Sequence, residues 1–123
     1  MPVIRIEVPD GTLLDTKRRI REGVKQAVLD TLAPKETKYD YVAVREVFGE
    51  IGDGVPLITV DLRPGREAER KKALTDAIAK LLKQELNVEP GDVYVLYREN
   101  PAENHYCGGE PLAPWAPASE LGE

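Results

Sequence analysis

Several residue types are scarce in this chain, and each shortage removes a class of chemistry. One cysteine, Cys107, excludes an internal disulfide. One histidine, His105, with no Cys/His cluster around it, argues against a zinc site, and no metal or other cofactor is expected. Basic residues are outnumbered, 17 against 22 acidic, for a net charge of −5. Nucleic acid and anionic membranes both require a basic face, so neither is an expected partner. Any anion site has to be assembled locally from a few cations. No run approaches the about 18 apolar residues of a membrane span, and no signal peptide opens the sequence. The expected location is therefore the cytoplasm. A hydrophobic share of 41% and a charged share of 32% over 123 residues suit one soluble domain with a real core, taken as residues 1–123.

Within that domain the order of elements is β-α-β, loop, β-α-β. Val3 to Val8 is rich in β-branched residues and reads as a first strand. Pro9-Asp10-Gly11 ends it, and Thr12 is placed to cap a helix whose first turn carries Asp15. Ile20, Val24, Ala27 and Val28 recur at helical spacing up to Pro34. Tyr41 to Val47 reads as a second strand, 49–54 as a glycine-rich loop or short hairpin, and Leu57 to Leu62 as a third strand. A second helix carries Leu74, Ala77, Ile78, Leu81 and Leu82 on one face and ends near Asn87. Val93 to Tyr97 is a fourth strand, and residues 100–123 form a proline-rich tail.

The two halves are an internal repeat. A shift of 54 positions lays Pro2 on Pro56, Ile4 on Ile58, Gly11 on Gly65, Lys17 on Lys71 and Leu32 on Leu86. One deletion later, Tyr41-Val42 matches Tyr94-Val95 and Arg45-Glu46 matches Arg98-Glu99. Repeat one is about 2–47 and repeat two about 56–99. Each half gives a parallel strand pair with a helical crossover. The expected fold is α+β: a four-stranded sheet with two helices on one face. Its other face and edges need cover, which predicts self-association.

Pro2 carries two readings. Proline is harmless at the first residue of a strand, where its missing N–H costs no hydrogen bond. With Met1 removed, however, Pro2 has a secondary amine, and burial or nearby positive charge lowers an amine's pKa. A neutral amine in a pocket serves as a general base or nucleophile. Pro56 holds the equivalent position with an amide nitrogen, so proline has a structural use there, and only Pro2 can be catalytic.

The halves differ most in the turn after their first strand. Arg63-Pro64-Gly65-Arg66 has two cations where Pro9-Asp10-Gly11-Thr12 has none. Two arginines three apart at a strand-to-helix turn can hold a carboxylate through bidentate hydrogen bonds, helped by free N–H groups at the helix start. If the first and third strands are neighbours, Pro2 is drawn toward these arginines. A solvated turn with ordinary surface arginines is the competing reading.

Pro2 behind Met1, the two β-α-β halves and the Arg63-Pro64-Gly65-Arg66 turn together resemble the tautomerase superfamily, in its fused-repeat form. That superfamily includes 4-oxalocrotonate tautomerase, macrophage migration inhibitory factor, cis-3-chloroacrylic acid dehalogenase and malonate semialdehyde decarboxylase. The arginine spacing is similar to the dehalogenase pattern, and Glu99-Asn100, Asn104 and Gly108 resemble the decarboxylase group's motif after the last strand. The resemblance implies a homotrimer, a small 2-oxo or enol carboxylic acid as substrate, Pro2 as base or acid, and Arg63 and Arg66 on the carboxylate. Thr37 stands where the decarboxylase group has a functional Asp, and His105-Tyr106-Cys107-Gly108 stands where that group has Trp-Ser-Phe-Gly. Thr37, His105 and Tyr106 are accordingly carried as further substrate-binding candidates. The leading expectation is an isomerase performing keto-enol tautomerisation. A Pro-dependent hydratase, dehalogenase or decarboxylase of a three-carbon acid ranks second, and a non-catalytic oligomeric binding module third. Cys107 is expected to be inert, and Trp115 to anchor the tail on a neighbouring subunit.

Overall fold

The computed structural model describes residues 2–33 and 41–116. Strand β1 (Val3–Pro9) alternates as its sequence requires: Ile4, Ile6 and Val8 are buried while Arg5 points to the opposite, open face. Helix α1 (Leu14–Thr31) buries Thr16, Ile20, Val24, Ala27 and Val28 along one stripe. Strand β2 (Tyr41–Val47) follows. The glycine-rich stretch then folds into two two-residue strands, β3 (Glu50–Ile51) and β4 (Gly54–Val55). Strand β5 (Leu57–Leu62) buries Ile58, Val60 and Leu62, and helix α2 (Ala68–Leu86) buries Leu74, Ile78 and Leu82. Asn87 ends α2 in the left-handed conformation, its N–H returning to the Leu82 and Lys83 carbonyls. Strand β6 (Tyr94–Glu99) completes the main sheet. Beyond it a short 3-10 turn (Ala102–Asn104) leads to a small hairpin, β7 (Tyr106–Cys107) and β8 (Glu110–Pro111).

The sheet order is β2-β1-β5-β6. β1 runs parallel to β2, β5 parallel to β6, and the two central strands β1 and β5 run antiparallel. This is the expected four-stranded sheet with both helices packed into one core against it. The helices touch closely because residue 23 is glycine: a Cβ there would come within 2.7 Å of Leu81 Cδ2.

The repeat survives as matched interactions. Lys17 bonds Glu46 at 2.8 Å in the first half, and Lys71 bonds Glu99 in the second. On the open face Arg45 pairs with Glu7, and Arg98 with Asp61. The antiparallel centre makes the halves related by an approximate two-fold, so Pro2 and Pro56 lie at opposite ends of the sheet. One local expectation fails. Thr12 does not cap α1; its hydroxyl donates to the Pro9 carbonyl at 2.6 Å, closing the turn, and Leu13 holds the N-cap position with no side-chain bond.

Candidate active site

The register of the central strands sets the geometry. Val3 lies opposite Asp61 and Ile4 opposite Val60. One step further brings Pro2 opposite Leu62, with Arg63 next in the chain. On the other side of β5, Asp61 lies beside Arg98, and the Asn100 N–H donates to the Leu62 carbonyl at 2.9 Å. Pro2, Asp61, Arg63, Arg98 and Asn100 are thereby collected at one end of the sheet. Pro2 is buried, and Arg63 is only 1% exposed. Arg63 Nη1 donates to the Ala113 carbonyl of the tail at 2.6 Å. The expected closeness of Pro2 to the Arg63 turn therefore follows from strand pairing.

Asp61 is a residue that the sequence did not single out. Arg98 grips its carboxylate through two bonds of 2.9 and 2.8 Å, Asn100 Nδ2 adds a third at 3.3 Å, and Arg5 lies at 3.7 Å. The Arg98 hydrogen bonds hold the Asp61 carboxyl below its usual range; partial burial opposes them, and Asn100, Arg98 and Arg5 add to the lowering. The signal available beforehand was the repeat, which aligns Glu7–Arg45 with Asp61–Arg98. A depressed carboxyl pKa stabilises the fold above the unfolded value of about 3.9, and that stabilisation disappears as pH falls through the folded value. Asp61→Asn is thus expected to lower the urea midpoint at pH 7 and to converge with wild type under acid. Paired urea melts across pH 3 to 7 check it; a gap that stays constant would remove Asp61 from the acid response.

The other candidates are distributed differently. Arg66 is 5% exposed: its Nε donates to Leu32 O at 2.8 Å, and its guanidinium lies 4.5 Å from the centre of the Trp115 ring. The His105 ring sits 3.1 Å from the Asn100 carbonyl, which ties the loop after β6 to the strand end. Tyr106 lies on the small hairpin and is 67% exposed. Thr37 lies outside the described residues. Trp115 corrects an expectation: it is buried on its own chain, with Nε1 donating to Ala33 O at 3.0 Å. Among the described residues no group of three or more His, Cys, Asp or Glu side chains is placed to hold a metal, and no helix is long and apolar enough to cross a membrane.

A cavity of about 300 Å³ lies at the opposite end of the sheet, against Pro56, Gly54, Asp92 and Tyr94. It is the two-fold counterpart of the Pro2 position. The Pro56 nitrogen is an amide, and no arginine lines the cavity.

Residues 56–114 match the family model described as tautomerase enzyme. The match starts at Pro56, the counterpart of Pro2, and includes Arg63 and Arg66. No curated protein sequence matches the chain. Among solved structures, a fused 4-OT wild type in an asymmetric trimer is similar with a TM-score of 0.79 at 22% identity, over 98% of this chain and 99% of that one. A malonate semialdehyde decarboxylase inhibited by 3-bromopropiolate gives 0.69 at 22%, over 86% and 88%. A macrophage migration inhibitory factor-like protein from Entamoeba histolytica gives 0.76 at 20%, over 90% and 98%. The chain thus resembles the tautomerase superfamily in fold along nearly its whole length and in sequence across its second repeat.

Proposed function

We propose that this chain, having the tautomerase fold, is an enzyme in which Pro2, freed by removal of Met1, is the general base for keto-enol tautomerisation of a small 2-oxo or enol carboxylic acid. The observation that carries the reading is the β1–β5 register, which sets a buried Pro2 beside the Leu62–Arg63 strand end. Burial lowers the pKa of an amine because it penalises the charged form, and a neighbouring guanidinium acts in the same direction. Neutral Pro2 accepts the enol hydroxyl proton, and the proton is returned to the substrate carbon. Arg63 faces the carboxylate and stabilises the enolate-like charge that builds up between the two transfers. Arg66 was expected to share that task. Its bond to Leu32 O and its stacking on Trp115 favour Arg63 as the carboxylate partner.

The open sheet face carries Tyr41, Tyr94 and Leu96, exposed by 54%, 65% and 42%. A homotrimer, as in the fused 4-OT structure, would cover that face. The decarboxylase likeness favours a second reading, a hydratase or decarboxylase with protonated Pro2 as acid. It needs a group that activates water, and the His105 ring already contacts the Asn100 carbonyl.

Ketonisation of phenylenolpyruvate tests the first reading. Protein beginning at Pro2 by mass spectrometry is expected to turn it over. The same chain with an N-terminal extension, whose Pro2 nitrogen is an amide, is expected to be inactive. Equal rates in the two forms would overturn Pro2 as the base.

A further inference from the structure

The last carbonyls of a helix have no partner within it, and its C-terminus carries partial negative charge. α2 meets both demands itself, through left-handed Asn87 and Lys83 in its last turn. α1 has no basic residue in its last turn. The carbonyls of its last residue and of the two residues that follow it are instead taken by side chains from far along the chain. Arg70 Nη1 donates to Thr31 O at 3.3 Å, Arg66 Nε to Leu32 O at 2.8 Å, and Trp115 Nε1 to Ala33 O at 3.0 Å. Trp115 also joins the two arginines, since the Arg66 and Arg70 guanidinium carbons lie 4.5 and 5.5 Å from its ring centre. Gly65 completes the fit. Its φ of +123° suits glycine, and a Cβ there would approach Trp115 Cε3 to 3.2 Å, whereas at Gly11, its repeat counterpart, the same atom would meet nothing. Only the second-repeat turn is shaped around the tail.

We propose that Arg66 is a positioning residue: with Arg70 and Trp115 it clamps the end of α1 to the tail, and the clamped tail fixes Arg63 through the Ala113 carbonyl. Ala113 is two residues from Trp115, so the ring's seat sets where that carbonyl sits, and the carbonyl accepts from Arg63 Nη1 at 2.6 Å. The positioning role rests on Arg63 being the carboxylate partner; the clamp itself does not.

Trp115 is the chain's one tryptophan, so its emission reports the clamp directly. Arg66→Met is expected to shift that emission to the red and to raise its quenching by acrylamide. Unchanged emission overturns the clamp. In kinetics with phenylenolpyruvate, Arg66→Met and Trp115→Leu are each expected to lose about 10- to 100-fold in kcat/KM, mostly through KM, as a misaimed anchor predicts. The double variant is expected to lose no more than the worse single one. Additive losses, or wild-type kinetics in Trp115→Leu beside a raised KM in Arg66→Met, would overturn the positioning role and make Arg66 a direct carboxylate ligand. If Trp115→Leu does not fold, Trp115→Phe keeps a ring and drops the Ala33 bond, and a smaller loss of the same kind is expected. If the native protein turns over no enol acid, the tautomerase reading fails. The emission shift and the non-additivity of urea midpoints in the same four proteins then still decide the clamp.

Discussion

Pro2→Ala is expected to lower kcat for phenylenolpyruvate ketonisation by at least about 100-fold, the low end of what a positioned general base supplies. The variant keeps an amine at the same chain position, but a primary one without the ring that the strand end buries. The pH profile should change with the rate. A base must be neutral to act, so wild-type kcat/KM rises as pH passes the Pro2 pKa. Burial and Arg63 both lower that pKa, which sets the rising limb below the 7.7 to 8.0 of an ordinary α-amine. Steady-state rates from pH 5 to 9, with the N-terminus of each preparation confirmed by mass spectrometry, give both results. A variant that keeps the native rate would leave Pro2 as no more than the first residue of β1.

Arg63→Met should act mainly on binding. A hydrogen bond to a charged group contributes about 1.5 to 3 kcal/mol, so KM for the enol acid should rise roughly 10- to 100-fold. Removing a cation also raises the pKa of a neighbouring amine. The rising limb of kcat/KM should accordingly move to higher pH in this variant and return in Arg63→Lys, which restores the charge without the two-pronged geometry. The two replacements separate the electrostatic contribution of Arg63 from its geometric one. A KM within two-fold of native in Arg63→Met would remove it from the binding site.

These expectations depend on a fold that was largely legible beforehand, because its signals are local and repeated. Ile4, Ile6 and Val8 alternate as a half-buried strand must, and Leu74, Ile78 and Leu82 recur as a helical stripe must. The 54-residue repeat presents each weak signal twice, and it makes the first and third strands equivalent, the pair that the sheet joins at its centre. The antiparallel direction of that pair then decided which chemistry meets which: it brought Arg63 to the Pro2 end and sent Pro56 to the other.

What stayed hidden was long-range and unrepeated. Trp115 meets Ala33 across 82 positions and Arg66 meets Leu32 across 34, contacts that leave no period in the sequence. The arginine pair looked like one carboxylate fork because its spacing suits a fork. In the structure both are buried, Arg63 bonding the Ala113 carbonyl and Arg66 the Leu32 carbonyl, partners that no spacing announces. Asp61 was overlooked for a related reason. As a lone acidic residue on a strand it is unremarkable until Arg98, Asn100 and Arg5 converge on it. Thr12 misled through competition, its hydroxyl finding the Pro9 carbonyl before any helix N–H.

The most direct measurement is the titration of the Pro2 nitrogen itself, by NMR on the mature protein carrying 15N-labelled proline. Among the prolines of a chain that begins at Pro2, only an N-terminal secondary amine changes its nitrogen shift with protonation. A single titrating proline with a pKa well below 7.7, moving upward in Arg63→Met, is the predicted result. A Pro2 nitrogen that titrates in the ordinary α-amine range, indifferent to Arg63, would contradict a base tuned by burial and by the arginine beside it.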